Sequence, residues 1–136
     1  MAISLLLVAA ASSAPAAPAT TNFRAAGKIY CLLSKQGGPQ ARCDIKKHSY
    51  PVPPKPSSCI DHSYGIGALV LGNAKADYVC TGQPLWLNPE PGDVLAAGKS
   101  VSLGPVSCSI LTSGVRCTNE SSGHGFKISA KKLKLF

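Results

Sequence analysis

Short runs in which apolar and polar residues alternate recur along the chain, and turn-forming residues separate them. The alternation is clearest in FKIS, residues 126–129, and in KLKL, residues 132–135. A period of two is typical of strands that bury one face. The sequence therefore predicts strands at residues 68–71, 77–81, 85–87, 99–103, 126–129 and 132–136, besides those that carry the cysteines.

Beyond residue 20 no run keeps the period of an amphipathic helix, and glycine and proline interrupt the chain at short intervals. Many short strands with such punctuation favour an all-β fold, either a small antiparallel β-sandwich or a barrel. Residues 49–58, SYPVPPKPSS, contain too much proline for a sheet and predict an extended surface loop. Residues 88–93, NPEPGD, predict a turn.

The N-terminal pattern differs from the rest, because the apolar run ISLLLVAAA leads into small residues with A-x-A sites ending at Ala16 or Ala19. This run is typical of a secretory signal peptide and is shorter than the about 20 residues that span a bilayer. We expect residues 1–19 to be removed and residues 20–136 to form one secreted domain. No Lys or Arg precedes the run, which leaves open a start inside a longer leader.

Six cysteines lie in the part that remains after cleavage, at positions 31, 43, 59, 80, 108 and 117. An even number of cysteines behind an export signal predicts three disulfides. Even Cys108 and Cys117, the closest two, are spaced too widely for the short Cys pairs of structural zinc sites. We therefore expect no metal site, and no motif for a cofactor is present.

Two cysteine pairs lie in similar predicted hairpins, residues 30–45 and 107–119. Cys108 and Cys117 lie directly opposite each other if residues 111–114 form the loop, with Gly114 in a left-handed conformation. A tighter turn at Ser113 and Gly114 would place the cysteines on a diagonal of about 7–8 Å, too far for an unstrained bridge. The same reasoning pairs Cys31 with Cys43, which leaves Cys59 for Cys80.

Charge narrows the class of partner. Fourteen Lys and Arg against six Asp and Glu give a net charge of +8, which predicts attraction to anionic wall polymers or lipid headgroups. We do not expect a nucleic-acid partner, and the charge has the alternative role of keeping an exported protein soluble. Alternation places Lys127, Lys132 and Lys134 on one exposed face, with Lys131 near the connecting turn. These four lysines are the predicted binding residues, and protection of a sheet edge is the alternative.

Residues 114–126, GVRCTNESSGHGF, concentrate the candidate chemistry. His124 is a candidate general base, with Glu120 and the distant His62 as partners and Arg116 or Asn119 as a group that stabilises an anion. The glycines on both sides of His124 favour a sharp turn in which the imidazole bonds a neighbouring carbonyl. No G-x-S-x-G or H-E-x-x-H motif is present, so we do not expect an enzyme.

The ordered segments KIYC, ARCDI, PPKPSSC, DYVCTG, PVSC and GVRCTNESSGHGF resemble a family of small exported, cysteine-rich actinobacterial domains of unknown function. The resemblance covers nearly all of residues 20–136. Lys28 stands where the family often has Asn, Tyr50 where it often has Trp, Gln83 where it often has Asp, and residues 130–131 where Arg is common. The resemblance implies export, disulfides and a compact domain, and no activity.

The sequence is compatible with three hypotheses for function. The first is a secreted or envelope-associated, non-enzymatic domain that binds an anionic or protein partner. The second is a small secreted hydrolase or ribonuclease-like toxin that uses His124, His62 and Glu120. The third is a protease inhibitor that presents the proline-rich loop of residues 49–58. Convergence of His124 with another titratable group separates the first two, and a projecting, disulfide-anchored loop is required by the third.

Overall fold

The computed structural model of the chain describes residues 3–7, 9, 19–60 and 62–136. These residues form strands and one 3-10 helix, with no α-helix among them, so the predicted all-β fold is confirmed. The strands are β1 Thr20–Ala25, β2 Ile29–Ser34, β3 Gln40–Ile45, β4 Ser63–Leu71, β5 Asp77–Thr81, β6 Val94–Leu95, β7 Ser100–Leu103, β8 Val106–Leu111, β9 Gly114–Asn119, β10 Gly125–Ile128 and β11 Leu133–Leu135.

The strands form two sheets that pack face to face. The first sheet has six strands in the order β5-β4-β3-β2-β1-β6, and the second has five in the order β11-β10-β9-β8-β7. Neighbouring strands are antiparallel except β1 and β6, which run parallel. Strands β3 and β4 face β9 and β10 across the core. The architecture is therefore the sandwich rather than the barrel.

The predicted alternation sends one set of side chains between the sheets. In β10, Phe126 and Ile128 are buried while Lys127 between them is exposed. Val115 of β9 and Leu33 of β2 are buried in the same cluster. Removing such side chains from water contributes roughly 25 cal/mol per Å² of apolar surface, which makes the inner faces the main source of stability.

All three predicted disulfides form. Cys31 lies opposite Cys43 on β2 and β3, Cys108 lies opposite Cys117 on β8 and β9, and Cys59 bonds Cys80. The Sγ atoms of Cys43 and Cys117 are 3.7 Å apart, so the two hairpin disulfides pack against each other at the centre of the sandwich. The two similar cysteine hairpins predicted from the sequence therefore lie in different sheets.

The turn between β8 and β9 is tighter than the predicted loop of residues 111–114. Leu111 pairs with Gly114, and only Thr112 and Ser113 lie between the strands. Gly114 has a φ of 143°, and a Cβ there would lie 2.2 Å from the carbonyl oxygen of Ile128. Glycine is needed at this position because the end of β10 approaches the backbone.

Residues 85–87 are not the predicted strand but the 3-10 helix Leu85–Leu87. The backbone N–H of Leu85 bonds the carboxylate of Asp44 rather than a neighbouring strand. The segment lies against β2 and β3, where Trp86 meets the ring of Tyr30 edge-on. Residues 88–93 are irregular rather than a turn and lead into β6. Neither β1 nor β6 was predicted from the sequence, although Phe23 of β1 is buried in the core.

Residues 49–58 contain no strand, as predicted. The loop is fixed at its start by Tyr50, whose hydroxyl donates a 2.8 Å hydrogen bond to the carbonyl of Gly65. Burial raises the pKa of Tyr50 above its ordinary value, because the phenolate would lose its solvation. The exposed stretch 53–58 ends at Cys59, which is buried and bonded to Cys80.

Most of the predicted signal peptide lies outside the described residues, including Ala16, one of the two expected cleavage sites. Residues 3–7 and 9 are exposed and have no regular secondary structure, and β1 begins at Thr20. Across the described part of the chain there is no helix with the length and hydropathy needed to cross a membrane.

Candidate functional site

The two candidate histidines, His62 and His124, lie at opposite ends of β4. His62 directly precedes Ser63, the first residue of this strand. His124 lies beside Asn119, whose side-chain amide donates a 2.6 Å hydrogen bond to the carbonyl of Gly72, just past the other end. Nine strand residues at about 3.3 Å each separate the two sites by roughly 25 Å or more. The structure therefore does not bring these histidines together.

The corner formed by residues 119–124 is organised by Asn119 rather than by His124. The side chain of Asn119 is fully buried, and its Oδ1 accepts hydrogen bonds from the backbone N–H groups of Ser121 and Ser122. The backbone N–H of Asn119 bonds the carbonyl of His124 at 2.8 Å. The imidazole of His124 makes no hydrogen bond to the described residues, so the expected bond to a neighbouring carbonyl is absent.

Glu120 is engaged elsewhere in the same corner. Its carboxylate accepts a 2.7 Å hydrogen bond from the hydroxyl of Ser107 on β8, and its backbone N–H bonds the carbonyl of Pro105. No ion pair joins Glu120 to His124 among the described residues. The residues proposed for catalysis thus form a hydrogen-bonded turn at one end of the sandwich.

Among the described residues, the outer face of the first sheet carries one charge pair, and the pair is enclosed. Arg42 donates hydrogen bonds of 2.9 and 2.6 Å to the two carboxylate oxygens of Asp44, which is fully buried. The backbone N–H of Leu85 donates a third bond of 2.9 Å to the same carboxylate. Gly67 lies opposite Asp44, and a Cβ there would be 2.9 Å from its Oδ1. This carboxylate is satisfied by protein donors and holds the 3-10 helix on the sheet.

The outer face of the second sheet carries cations in neighbouring positions. Lys127 of β10 pairs directly with Arg116 of β9 on one side and with Lys134 of β11 on the other. Adjacent strands are about 4.8 Å apart, so the three side chains begin within about 10 Å of one another. All three are exposed. With Lys132 from the turn before β11, they define what we call the cationic face.

The cationic face surrounds a cavity of about 390 Å³. Its lining is two serines and the four cations: Ser113, Arg116, Lys127, Ser129, Lys132 and Lys134. The lining contains no carboxylate from the described chain, and none of the four cations forms an ion pair within it. A site with this lining attracts anions, because nothing in the lining neutralises the positive charge.

Two contacts order the cationic face. The guanidinium of Arg116 lies over the ring of Phe136, with its central carbon 4.6 Å from the ring centroid. The hydroxyl of Ser129 accepts a 3.1 Å hydrogen bond from the backbone N–H of Lys132, which fixes the turn that presents this lysine. Arg116, which is not among the four predicted binding residues, therefore has an aromatic ring that limits its position.

The strand positions distinguish two groups of cations. Lys134 lies on β11, an edge strand, where lysine commonly prevents pairing with another chain. Lys127 and Arg116 lie on β10 and β9, which have a partner strand on both sides. Protection of a sheet edge therefore does not explain the cations at Lys127 and Arg116.

The fourth predicted binding residue, Lys131, lies apart from the cationic face. It lines a neighbouring cavity of about 460 Å³ at the end of the sandwich, together with the largely apolar residues Ala26, Ile29, Ile45 and Ala130. The two cavities share Ser113 and Ser129 at their border. Lys131 is thus adjacent to the cationic face without lining its cavity.

Sulfur atoms of Cys43, Cys108 and Cys117 come within 4.8 Å of one another, a spacing that would suit a metal ion if they were thiolates. All three are in disulfides, which removes the thiolate that binds zinc. This cluster is a part of the core.

Comparisons with known protein families, with curated proteins and with solved structures found no match to this chain. The function of the chain is therefore inferred from the geometry of its described residues.

Proposed function

We propose that residues 20–136 form an exported, non-enzymatic domain that binds an anionic polymer or headgroup of the cell envelope through the cationic face. One observation carries the proposal: Arg116, Lys127, Lys132 and Lys134 surround a cavity with no carboxylate in its lining. Two of these cations lie on strands that have no edge to protect.

The energetics of the sheet support the proposal. Like charges directly opposite each other on neighbouring strands destabilise a sheet. Lys127 makes two such pairs, one with Arg116 and one with Lys134. A bound anion offsets this repulsion, which is weak because the three cations are exposed to water.

Three features support export. All six cysteines are in disulfides, which persist mainly in oxidising compartments outside the cytosol. Because β1 begins at Thr20, cleavage after Ala19 leaves every strand intact. The resemblance to exported actinobacterial domains agrees with this location.

The two alternatives have less support. A hydrolase or toxin needs a base and a partner within hydrogen-bond reach, and His124 has neither His62 nor the carboxylate of Glu120 as a hydrogen-bond partner. For an inhibitor, the exposure of residues 53–58 ahead of Cys59 is the single supporting feature.

The test is retention of the oxidised protein on heparin, on an acidic wall polysaccharide and on phosphatidylglycerol vesicles, at low and high NaCl. We expect retention that is lost at high salt, because exposed charges are screened over about 10 Å at 0.1 M ionic strength. The triple variant Lys127/Lys132/Lys134→Gln is expected to lose retention at low salt as well.

The matched control is Lys35/Lys55/Lys75→Gln, which removes the same charge from exposed positions elsewhere. It is expected to retain most of the binding. Equal retention of wild type and both triple variants on every surface would show that the cationic face is not a binding site.

A further inference from the structure

We infer that the cavity of the cationic face is a binding site for one chemical group, a phosphate monoester in its dianionic form. This inference rests on the proposed function and specifies its ligand. Three properties of the cavity support it: the type of donor, the total charge and the size.

The donors suit a tetrahedral oxyanion. Arg116 presents a planar fork of N–H groups, and its contact with Phe136 limits the directions in which the fork points. Lys127, Lys132 and Lys134 add compact ammonium groups from neighbouring positions around the same cavity. A terminal phosphate has three oxygens that accept such bonds from several directions, whereas a carboxylate has two oxygens in one plane.

The charge favours a dianion over a monoanion. Coulomb attraction scales with the charge of the ligand, and four cations with no carboxylate in the lining act on it together. The hydroxyl of Ser113 lies at the border of the cavity, whereas that of Ser129 donates to the carbonyl of Lys132 in the turn. Each phosphate of a diester polymer or lipid carries one charge, so it should bind more weakly here than a monoester.

The size allows more than a bare ion. Cavities that hold small ligands span about 300–1,000 Å³, and this one measures about 390 Å³. A phosphate together with the glycerol or sugar that carries it therefore fits better than a long polymer threaded through the cavity.

The inference is tested by following backbone amide signals of residues 113–134 while small anions are added at constant ionic strength and pH 7.5. Glycerol phosphate supplies a tetrahedral dianion, methyl sulfate a tetrahedral monoanion, and malonate a dianion without a tetrahedral centre. Glycerol phosphate is expected to bind at least tenfold more tightly than the other two. Equal binding of the three would overturn the inference, and so would shifts spread over the whole chain.

The pH dependence gives a second readout. The second ionisation of a phosphate monoester has a pKa of about 6, so lowering the pH from 7.5 to 5 leaves about one tenth of it as dianion. The apparent affinity for glycerol phosphate is expected to fall about five- to tenfold, because the monoanion that replaces the dianion binds more weakly, while that for methyl sulfate stays constant. An unchanged affinity for glycerol phosphate would contradict the preference for the dianion.

Arg116→Lys is the most specific variant, because it keeps the charge and removes the fork. It is expected to weaken glycerol phosphate binding about tenfold, the loss of about one charge-assisted hydrogen bond. Retention on heparin should change little. Lys75→Gln is the control for a distant charge, and unaltered glycerol phosphate binding by Arg116→Lys would contradict the role of the fork.

Sedimentation with phosphatidylcholine vesicles that contain phosphatidate tests whether the phosphate monoester can come from a lipid. Glycerol phosphate is expected to displace the protein from these vesicles if the headgroup occupies the same cavity. The two levels of the proposal fail separately. Retention on anionic polymers without selectivity for glycerol phosphate would overturn this inference alone, whereas loss of all retention would overturn the proposed function too.

Discussion

The outer faces of the two sheets both carry charged side chains, in opposite arrangements. On the first sheet, Asp44 is fully buried and accepts two hydrogen bonds from Arg42 and one from the backbone of Leu85. On the second sheet, the four cations of the cationic face are exposed and have no carboxylate in their cavity.

The difference follows from the cost of removing a charge from water. A buried charge needs a partner, because the loss of hydration is large, so the pair on the first sheet is part of the fold. Exposed cations stay hydrated and repel one another only weakly, so a sheet tolerates them at little cost. Paired charges here hold the structure, and unpaired charges remain available to a ligand.

Reduction of the disulfides should unfold both sheets and so disrupt both outer faces. Cys31–Cys43 and Cys108–Cys117 each join two central strands of a sheet. We expect a loss of about 2–4 kcal/mol per bond, which exceeds the margin of a typical domain when all three are reduced. Denaturant unfolding with and without reductant measures this effect. Titration of the unfolded, unreduced protein should find no free thiol, and more than a trace would contradict the pairing.

Asp44→Asn should destabilise the first sheet strongly, because it leaves Arg42 without its counter-charge beneath the 3-10 helix. We expect a loss of about 3 kcal/mol, at the lower end for a broken buried pair because the Arg42 side chain is 16% exposed. The free energy of unfolding of this variant is compared with that of Asp77→Asn, an exposed carboxylate. Similar stability of the two variants would show that the pair does not hold the helix in place.

Asn119→Ala should cost about 2 kcal/mol, because it leaves the carbonyl of Gly72 and two backbone N–H groups without their partner. His124→Ala should change the free energy of unfolding by less than about 0.5 kcal/mol, since its imidazole has no hydrogen bond within the described chain. Thermal unfolding of the two variants separates these roles. A larger loss of stability for His124→Ala than for Asn119→Ala would show that the imidazole, rather than Asn119, stabilises this corner.

Lys127→Gln should leave the fold intact and stabilise it slightly, by less than about 0.5 kcal/mol, because it removes two exposed like-charge pairs from the sheet. Lys75→Gln is the matched change outside the sheets and should have no effect. Denaturant midpoints at low ionic strength measure the difference. A clear destabilisation by Lys127→Gln would mean that this lysine contributes to the fold.

The parts of the fold that depend on local spacing were predictable from the sequence. The disulfide geometry required Cys108 and Cys117 to lie opposite each other, and the register of β8 and β9 confirms this requirement. The alternation around Lys127 placed its side chain on the exposed side of the strand, as the structure shows. Both deductions use contacts between neighbours in the chain or across one turn.

The arrangement of the cationic face depends on a register that the sequence does not encode locally. Arg116 meets Lys127 only because β9 and β10 pair across residues 120–124. That corner is fixed by the buried Asn119 through a hydrogen bond to Gly72, which is distant in sequence. Arg116 directly precedes Cys117, and side chains alternate between the two faces of a strand. A buried Cys117 therefore implied an exposed Arg116, which was the one local signal for this residue.

Lys28 illustrates a local rule that the structure violates. It has a φ of 60°, a left-handed conformation that suits glycine and asparagine better than lysine. The structure does not explain why lysine occupies this position.

The most direct test of the cationic face is the affinity of Lys127→Glu and Lys75→Glu for heparin in about 0.1 M NaCl, the ionic strength at which screening acts over about 10 Å. The two variants have the same net charge and differ only in where the charge is reversed. We predict that Lys127→Glu loses binding while Lys75→Glu binds nearly as well as the wild type. Equal affinities would show that net charge alone governs binding and would contradict the assignment of the site to the outer face of the second sheet.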